Sequence, residues 1–264
     1  MADGLIAPPG LTPLAEGREA QVFVRADGNV VKVMRSANQE ARVRREAAAL
    51  QALADRQHLA PAFVETTEVA GRPALVTERV SGDDLLARLS KKPWLVLKVA
   101  GTLGRGHAAM HDYPAPDTLP DLRDELAQYI QSAKALTEHH ATAALKRLRA
   151  LPTGDRLCHG DYHPQNVLGT LKDPVIIDWG DASRGAPAAD VARTLLLLRT
   201  GELPPDTPAP MRALTSWVGG CSPGAPWRST AAMPSRSHRS STTGSSCGPP
   251  PGSTKSSRWS TRAC

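Results

Sequence analysis

The sequence predicts an α+β fold of two lobes, a small β-rich lobe followed by a mostly helical one. Segments rich in β-branched residues fall before residue 80, whereas a helical spacing of apolar residues prevails from about residue 83. From residue 217 the chain is dominated by Ser, Thr, Gly and Pro, without Leu, Ile, Phe or Tyr. Such a segment buries too little apolar area to fold. We therefore expect three parts: an N-lobe at 1–80, a helical C-lobe at 81–216 and a disordered basic tail at 217–264.

The first lobe is expected to contain two strand pairs and one helix. The turn Asp27-Gly28-Asn29 has the chemistry of a β-hairpin. Apolar residues spaced three to four apart among many charges indicate the helix. The predicted bounds are 20–25 and 29–34 for the first strand pair, 38–56 for the helix, and 62–69 and 73–79 for the second strand pair.

The second lobe is expected to be helical, with a small β-insert around a polar loop. A short strand leads to Cys158, a loop follows at 159–166, and an apolar helix begins at Pro187. The predicted helices are 83–90, 94–112, 120–139 and 141–150, and the predicted short strands are 167–170 and 174–178. Lobes that differ in this way predict a cleft between them.

The net charge of +6 does not predict a nucleic-acid partner. Residues 1–216 hold 26 basic and 26 acidic side chains, whereas residues 217–264 hold six basic and no acidic ones. All of the excess charge therefore belongs to the tail. A nucleic-acid binder that uses the tail is a weak alternative, because the tail has no fold to present its charges. We expect no nucleic-acid partner.

The composition also argues against a membrane or secreted protein. No apolar run approaches the roughly 18–20 residues that span a bilayer, and the first residues lack the basic start and apolar stretch of a signal peptide. Residues 1–216 contain one cysteine, Cys158, so disulfides do not hold them together. These observations favour a cytoplasmic protein without a membrane partner.

The segments His159–Asn166 and Val175–Gly180 carry the most informative pattern. Asp161 is followed five residues later by Asn166, and Asp178 ends an apolar strand 12 residues after that. Phosphoryl transfer needs hard oxygen ligands for Mg²⁺ and a group that aligns the acceptor hydroxyl. Asn166 and Asp178 fit the first requirement, and Asp161 fits the second. The alternative is that all three are ordinary turn residues.

Two residues of the first lobe bear on the same chemistry. Lys32 is a lone charge in the β-branched segment Val30–Met34, so it needs a partner or a phosphate. Glu46, on the following helix, could pair with it. The alternatives are a lysine on an edge strand and a solvated helix charge.

With these residues the sequence resembles the aminoglycoside phosphotransferase and choline kinase-like small-molecule kinases, which have a protein-kinase-like fold. The matching segments run from about Leu14 to Leu198 and include H-G-D-x-x-x-x-N and I-D-W in this order. The resemblance implies that ATP binds between the lobes, with Lys32 on its phosphates and Glu46 holding Lys32. It also implies that Asp161 is the catalytic base and that Asn166 and Asp178 are the Mg²⁺ ligands.

The resemblance extends to three further places. Glu78 to Val80 resembles the hinge that meets adenine. Ala15 to Phe23, with its single glycine Gly17, resembles the loop that covers the phosphates. Asp190 matches an Asp that the family carries beyond the metal ligand, and we expect it to cap or brace the helix from 191.

Spacing and resemblance together favour a small-molecule hydroxyl as acceptor, in an aminoglycoside-like antibiotic or a metabolite. Only 11 residues separate Asp178 from Asp190, which leaves no room for a peptide-docking activation segment. Clustered carboxylates could bind a polycationic acceptor, although helix N-terminal charges explain them as well. Candidates are Asp83, Asp84, Asp117, Asp121, Asp124 and Glu125. His107 and His111 have a metal-compatible spacing, but without a visible third ligand we favour packing residues.

The tail departs from the family, whose members usually continue with more helices that complete the substrate side of the cleft. Two interpretations stay open: a native basic arm, or an out-of-frame reading of a GC-rich gene, which we favour. In the second case we expect an unstable or weakly active product. The alternative to an active enzyme is a truncated or non-catalytic kinase-fold protein that binds nucleotide without productive transfer.

Overall fold

A computed structural model describes residues 8–55 and 58–200. The expected tail at 217–264 lies outside the described residues. Among the described helices, none is long and apolar enough to cross a lipid bilayer.

The N-terminal part is one antiparallel sheet of five strands in the order β1-β2-β3-β5-β4. Lys32 therefore lies on the central strand, opposite Val22 on β2 and Leu75 on β5. The edge-strand alternative for this lysine is wrong. The strands are β1 (Leu11–Glu16), β2 (Ala20–Arg25), β3 (Val30–Met34), β4 (Phe63–Val69) and β5 (Arg72–Thr77).

Strand β1 was not predicted, because its residues do not alternate between apolar and polar and nearly all of them are exposed. The turn between β4 and β5 places Ala70 and Gly71 at φ angles of 51° and 73°. Two successive left-handed residues are what a tight hairpin with the native strand twist requires.

Helix α1 (Glu40–Ala52) follows the sheet's third strand and is preceded by a short 3₁₀ turn at Ala37–Gln39. It is shorter than the predicted 38–56. Its buried face contains Val43, Ala47 and Leu50, and also the charged Glu46, which is only 4 % exposed. A carboxylate is buried this deeply only when it has partners.

The C-terminal part is mainly helical. Polar side chains begin three of its helices: Asp84 caps α2, Asp121 caps α4 and Thr137 caps α5. Thr137 begins a new helix where the sequence had suggested one helix to residue 139. The helices are α2 (Leu85–Lys91), α3 (Val96–His111), α4 (Leu122–Ser132), α5 (Glu138–Ala150) and α6 (Pro187–Thr200).

Four short strands form two ladders within this part, with β6 paired to β9 and β7 paired to β8. They are β6 (Arg156–Cys158), β7 (Val167–Gly169), β8 (Pro174–Ile176) and β9 (Ser183–Gly185). The polar segment 159–166 leaves β6, and the segment that begins at Asp178 leads into β9. The two ladders thus hold both polar segments against the helices.

One buried apolar cluster runs through both parts of the described chain. It joins Met34 of the sheet, Leu50 of α1, Met110 of α3 and Trp179, each at most 2 % exposed. A smaller cluster covers the other sheet face and contains Phe23, Val31, Val33, Ala74 and Val76. A β-rich N-terminal part followed by a helical part confirms the predicted two-lobed α+β fold.

Helix α6 carries an apolar row that the described residues leave partly exposed. Val191, Leu195, Leu196 and Leu198 are 38–57 % exposed. The buried residues of this helix are instead polar, Asp190 and Thr194.

Candidate active site

Lys32 joins two acidic residues that are far apart in sequence. Its Nζ lies 2.7 Å from Glu46 Oε2 and 2.7 Å from Asp178 Oδ1. Burial alone would lower the pKa of Lys32, but the two carboxylates outweigh it and raise the pKa to about 12. The lysine is therefore charged at neutral pH.

Asp178 follows β8 in a left-handed backbone conformation, with φ at 63° and ψ at 62°. This region is unfavourable for most residues other than glycine. Burial opposes ionisation of the carboxyl, yet the nearby Lys32 ammonium holds the pKa of Asp178 below its usual value. Burial raises the pKa of Glu46 against the attraction of Lys32.

Asp161 and Asn166 lie together at the two ends of one loop. Asn166 Nδ2 donates to the backbone oxygen of Asp161 at 2.9 Å and lies 3.3 Å from Asp161 Oδ2. His163 Nε2 is 3.5 Å from the same carboxylate oxygen. The contact with His163 outweighs burial and lowers the pKa of Asp161.

His159 connects this loop to the segment that carries Asp178. Its Nδ1 accepts from the amide of Asp161 at 3.2 Å, and its Nε2 donates to the carbonyl of Ile177 at 3.0 Å. These bonds require the neutral ring with its proton on Nε2. Burial lowers the pKa of His159, which favours the same form. Ile177 N also donates to the Asn166 carbonyl at 2.9 Å.

Asp190 holds the start of the loop, whereas the sequence had suggested only that it caps or braces its own helix. It lies in the first turn of α6 rather than capping it, because the helix begins at Pro187. Its two carboxylate oxygens accept from the amides of His159 and Gly160 at 2.9 Å each. Thr194, four residues later, donates its hydroxyl to the Tyr162 carbonyl at 2.9 Å. Helix α6 therefore forms hydrogen bonds with the backbone on both sides of Asp161, at Gly160 and Tyr162.

The two histidines of α3 share Asp190 as their partner. His107 Nε2 and His111 Nε2 lie 3.3 and 3.0 Å from Asp190 Oδ2. Burial alone would raise the pKa of Asp190, but the two rings and the two backbone amides hold it well below its usual range. The sequence showed no third residue beside His107 and His111. The structure places Asp190 there, and its carboxylate contacts both imidazole rings.

The residues predicted for the loop over the phosphates and for the hinge lie outside this network. Gly17 begins the turn from β1 to β2, and Arg35 Nε donates to its carbonyl at 3.0 Å. Glu78 follows β5, and its amide donates to the carbonyl of Ala62 at 2.9 Å. No described residue forms a hydrogen bond with the backbone of Val80.

Most of the acidic residues proposed for a cationic acceptor already have structural partners. Besides the two caps Asp84 and Asp121, Glu125 pairs with Arg45 at 2.6 Å and Asp83 with Lys91 at 2.6 Å. Asp117 is 98 % exposed and lies 3.5 Å from Arg184. The alternative interpretation as helix and surface charges is the better one for these residues.

A sequence profile of the phosphotransferase enzyme family matches residues 10–217, most of the chain. The chain belongs to this phosphotransferase family. The match includes every residue of the candidate site and the whole described part from residue 10 onward. No curated protein gives a significant match.

Solved structures of aminoglycoside phosphotransferases share the fold of this phosphotransferase. The GDP and kanamycin complex of APH(2")-IIia aligns with a TM-score of 0.54 at 19 % identity, over 81 % of this chain and 78 % of that one. The aminoglycoside-3'-phosphotransferase of type VIII aligns with a TM-score of 0.54 at 24 % identity, over 80 % and 86 %. APH(3'')-Id from Streptomyces rimosus, with ADP and streptomycin, aligns with a TM-score of 0.51 at 21 % identity, over 84 % and 89 %.

The phosphotransferase's donor set suits a hard divalent cation. Asp178 uses Oδ1 for Lys32, and no described donor engages its Oδ2. Asn166 directs its amide nitrogen to Asp161, which leaves its side-chain oxygen without a hydrogen bond from the described residues. Two oxygens, one anionic and one neutral, are the ligand types that Mg²⁺ prefers.

Proposed function

We propose that the protein transfers the γ-phosphoryl group of ATP to a hydroxyl of a small molecule. The observation that carries this proposal is the contact of Lys32 with both Glu46 and Asp178 beside the Asp161–Asn166 loop. Membership of the phosphotransferase family supports the reaction class.

Each residue has a defined part in the proposed reaction. The acceptor hydroxyl oxygen attacks the γ-phosphorus, the bond from that phosphorus to the β,γ-bridging oxygen breaks, and ADP leaves. Asp161 accepts the hydroxyl proton, for which its lowered pKa keeps it ionised. Lys32, held by Glu46, neutralises charge on the nucleotide phosphates. Its pairing beforehand removes the need to order a flexible side chain during the reaction.

Mg²⁺ is the proposed cofactor, with Asn166 and Asp178 as its ligands. The ion supplies neutralisation of phosphate charge when it is bound. The protein's part is to hold both ligands: Ile177 N fixes the Asn166 backbone, and Lys32 fixes one oxygen of Asp178.

The proposed nucleotide site includes Gly17 over the phosphates and the segment Glu78 to Val80 at adenine. Glu78 uses its amide within the protein, so its carbonyl and the free amide of Val80 are the groups available to a base edge.

A small acceptor fits the segment after Asp178 better than a peptide does. Trp179–Asp181 form a 3₁₀ turn, Ser183–Gly185 pair with β6, and α6 begins at Pro187. Every residue between the metal-ligand candidate and α6 is therefore close to a structural element, and none forms an extended docking segment. We propose an aminoglycoside-like antibiotic or a hydroxylated metabolite, in keeping with the kanamycin and streptomycin complexes of the structural neighbours.

The decisive measurement is transfer of labelled γ-phosphate from Mg-ATP to a panel of acceptors. The panel contains kanamycin, streptomycin, a macrolide, choline and simple sugars. Asp161→Asn and Asp178→Asn should each reduce transfer by at least about 10²-fold. Asp155→Asn, a matched change at a 74 % exposed aspartate, should leave it unchanged. Equal transfer by all three variants would refute the proposal.

A second candidate is a kinase-fold protein that binds nucleotide without transfer. The apolar row of α6, which the described residues leave exposed, favours it. Stabilisation of the chain by Mg-ATP, combined with no labelled product from any acceptor, would select this candidate.

A further inference from the structure

We infer that Arg42 and Asp181 form a latch that positions the segment Asp178–Asp181, an inference that rests on the proposed function. Arg42 lies on α1, and Asp181 ends the 3₁₀ turn that follows Asp178. Arg42 Nη1 is 2.8 Å from Asp181 Oδ1, and Nη2 is 3.2 Å from Oδ2. This two-pronged contact constrains orientation as well as distance.

Helix α1 holds the segment at two points. Arg42 and Glu46 are one helical turn apart, so their side chains extend from the same face. Glu46 Oε1 accepts from the amide of Trp179 at 3.3 Å, while Oε2 binds Lys32. Glu46 therefore fixes the amide of Trp179, directly after Asp178, and Arg42 fixes Asp181 at the end of the turn.

The conformation of Asp178 makes such support necessary. Its left-handed backbone is less stable than the ordinary regions and persists only where surrounding contacts enforce it. Lys32 binds the Asp178 carboxylate, and Glu46 binds the amide of the following residue, Trp179. Both contacts lie at the start of the turn. Arg42 supplies the hold from the far end of the turn.

The packing at Gly180 shows that the arginine is fitted to the segment. A Cβ atom built on Gly180 would lie 2.6 Å from Arg42 Nε. Only a glycine therefore admits the guanidinium at this distance. Arg42 Nε is buried without a hydrogen-bond partner among the described residues, unlike an arginine in a solvated surface pair.

Helix α1 is anchored by a second arginine, Arg45, independently of the latch. Arg45 Nη2 lies 2.6 Å from Glu125 Oε1, and both side chains are at most 23 % exposed. Because this pair joins α1 to α4, the helix stays in place when Arg42 is removed. We therefore expect Arg42 to act as a positioning residue on the segment 178–181 and not on α1 itself.

Hydrogen exchange of the free protein tests the latch without any assumption about catalysis. Arg42→Ala should speed amide exchange in residues 178–182 by about tenfold and leave residues 43–50 of α1 unchanged. Arg44→Ala is the matched control, because Arg44 lies on the same helix and, among the described residues, pairs with the exposed Glu40 alone. Unchanged exchange in residues 178–182 overturns the inference.

Kinetics with charge reversal add a readout that a structural role alone does not move. Arg42→Ala should lower kcat about tenfold with little change in the KM for the acceptor, because the latch acts on the segment of the proposed metal ligand Asp178. The double variant Arg42→Asp with Asp181→Arg should recover more than half of both the rate and the slow exchange. A double variant no better than Arg42→Asp alone overturns the inference.

The two proposals fail in different ways. A wild-type chain that transfers phosphate to no acceptor refutes the proposed function, and the exchange experiment then still decides on the latch. If Arg42→Ala does not fold, Arg42→Lys replaces it. This variant keeps the charge but loses the two-pronged contact, and exchange at the wild-type rate in it counts against the latch.

Discussion

Lys32 Nζ and Asp178 Oδ1 lie 2.7 Å apart, although 146 positions separate the two residues in the sequence. The sheet places Lys32 on its central strand, and β8 ends directly before Asp178. Because Glu46 contacts the same ammonium group, the cation has two carboxylate partners within the protein.

Removal of Lys32 should destabilise the protein, because the buried carboxylate of Glu46 then lacks a positive partner. Lys32→Met leaves Glu46, which is 4 % exposed, without its cation, so we expect a loss of about 3–5 kcal/mol in the free energy of unfolding. The double variant Lys32→Met with Glu46→Gln should recover part of that loss, because the buried charge of Glu46 is then removed and only the 36 % exposed Asp178 is left without the lysine. Urea denaturation of wild type, single and double variants measures both effects. Simple additivity of the two changes would contradict the ion-pair explanation.

Two glycines of α3 should respond in opposite ways to the same substitution. A Cβ on Gly104 meets nothing within 4 Å, so Gly104→Ala should stabilise the helix by about 0.5–1 kcal/mol. A Cβ on Gly106 would lie 2.3 Å from the Tyr162 hydroxyl, so Gly106→Ala should destabilise by about 1–3 kcal/mol. Thermal denaturation of the pair tests the close packing of α3 on the residue after Asp161. If both substitutions stabilise the protein, Gly106 does not pack closely against Tyr162.

The stability of the protein should depend on pH through Asp190. Its pKa in the folded state is below the unfolded value of about 3.9, because the two histidine rings and two amides outweigh burial. The contribution to stability is therefore complete above the unfolded value and is lost as pH falls below it. Asp190→Asn should cost about 2–4 kcal/mol at pH 7 and should flatten the decline of the free energy of unfolding below about pH 5.

Asp155→Asn is the control for that experiment, since its carboxylate is 74 % exposed. It should retain the wild-type decline. An unaltered decline in Asp190→Asn would show that other carboxylates cause the acid sensitivity.

Two substitutions of Asp178 should differ in stability although both remove its charge, because they differ in their tolerance of the left-handed backbone. Asparagine tolerates the left-handed region better than alanine does. At φ 63°, Asp178→Ala should therefore be about 1 kcal/mol less stable than Asp178→Asn. Both variants should reduce phosphate transfer by at least about 10²-fold. Urea denaturation compares the stabilities, and equal values would mean that the backbone at this position is not strained.

The sequence anticipated most of the elements because their patterns are local. The hairpin at Asp27–Asn29 and the amphipathic α1 follow from neighbouring residues, and the structure has both. The edge-like β1 and the three-residue β9 carry no such pattern, since long-range pairing alone makes them strands. Helix α1 also ends four residues earlier than its expected end at residue 56.

For the site, the sequence supplied residue types but not their contacts. The roles of Lys32, Glu46, Asp161, Asn166 and Asp178 remain predictions, although the structure brings them into two directly bonded groups. The sequence did not show that Asp190 binds two backbone amides or that Arg42 meets Asp181. Both contacts join residues at least 30 positions apart through the tertiary fold, which no local pattern encodes.

The continuous apolar cluster bears on how the chain folds. Because Met34 of the sheet and Met110 of α3 belong to one buried cluster, neither part has a core that is complete by itself. The described chain should therefore melt in a single cooperative transition rather than as two independent halves. Formation of the Lys32–Asp178 contact then coincides with global folding, so every properly folded molecule emerges with its charged centre already assembled.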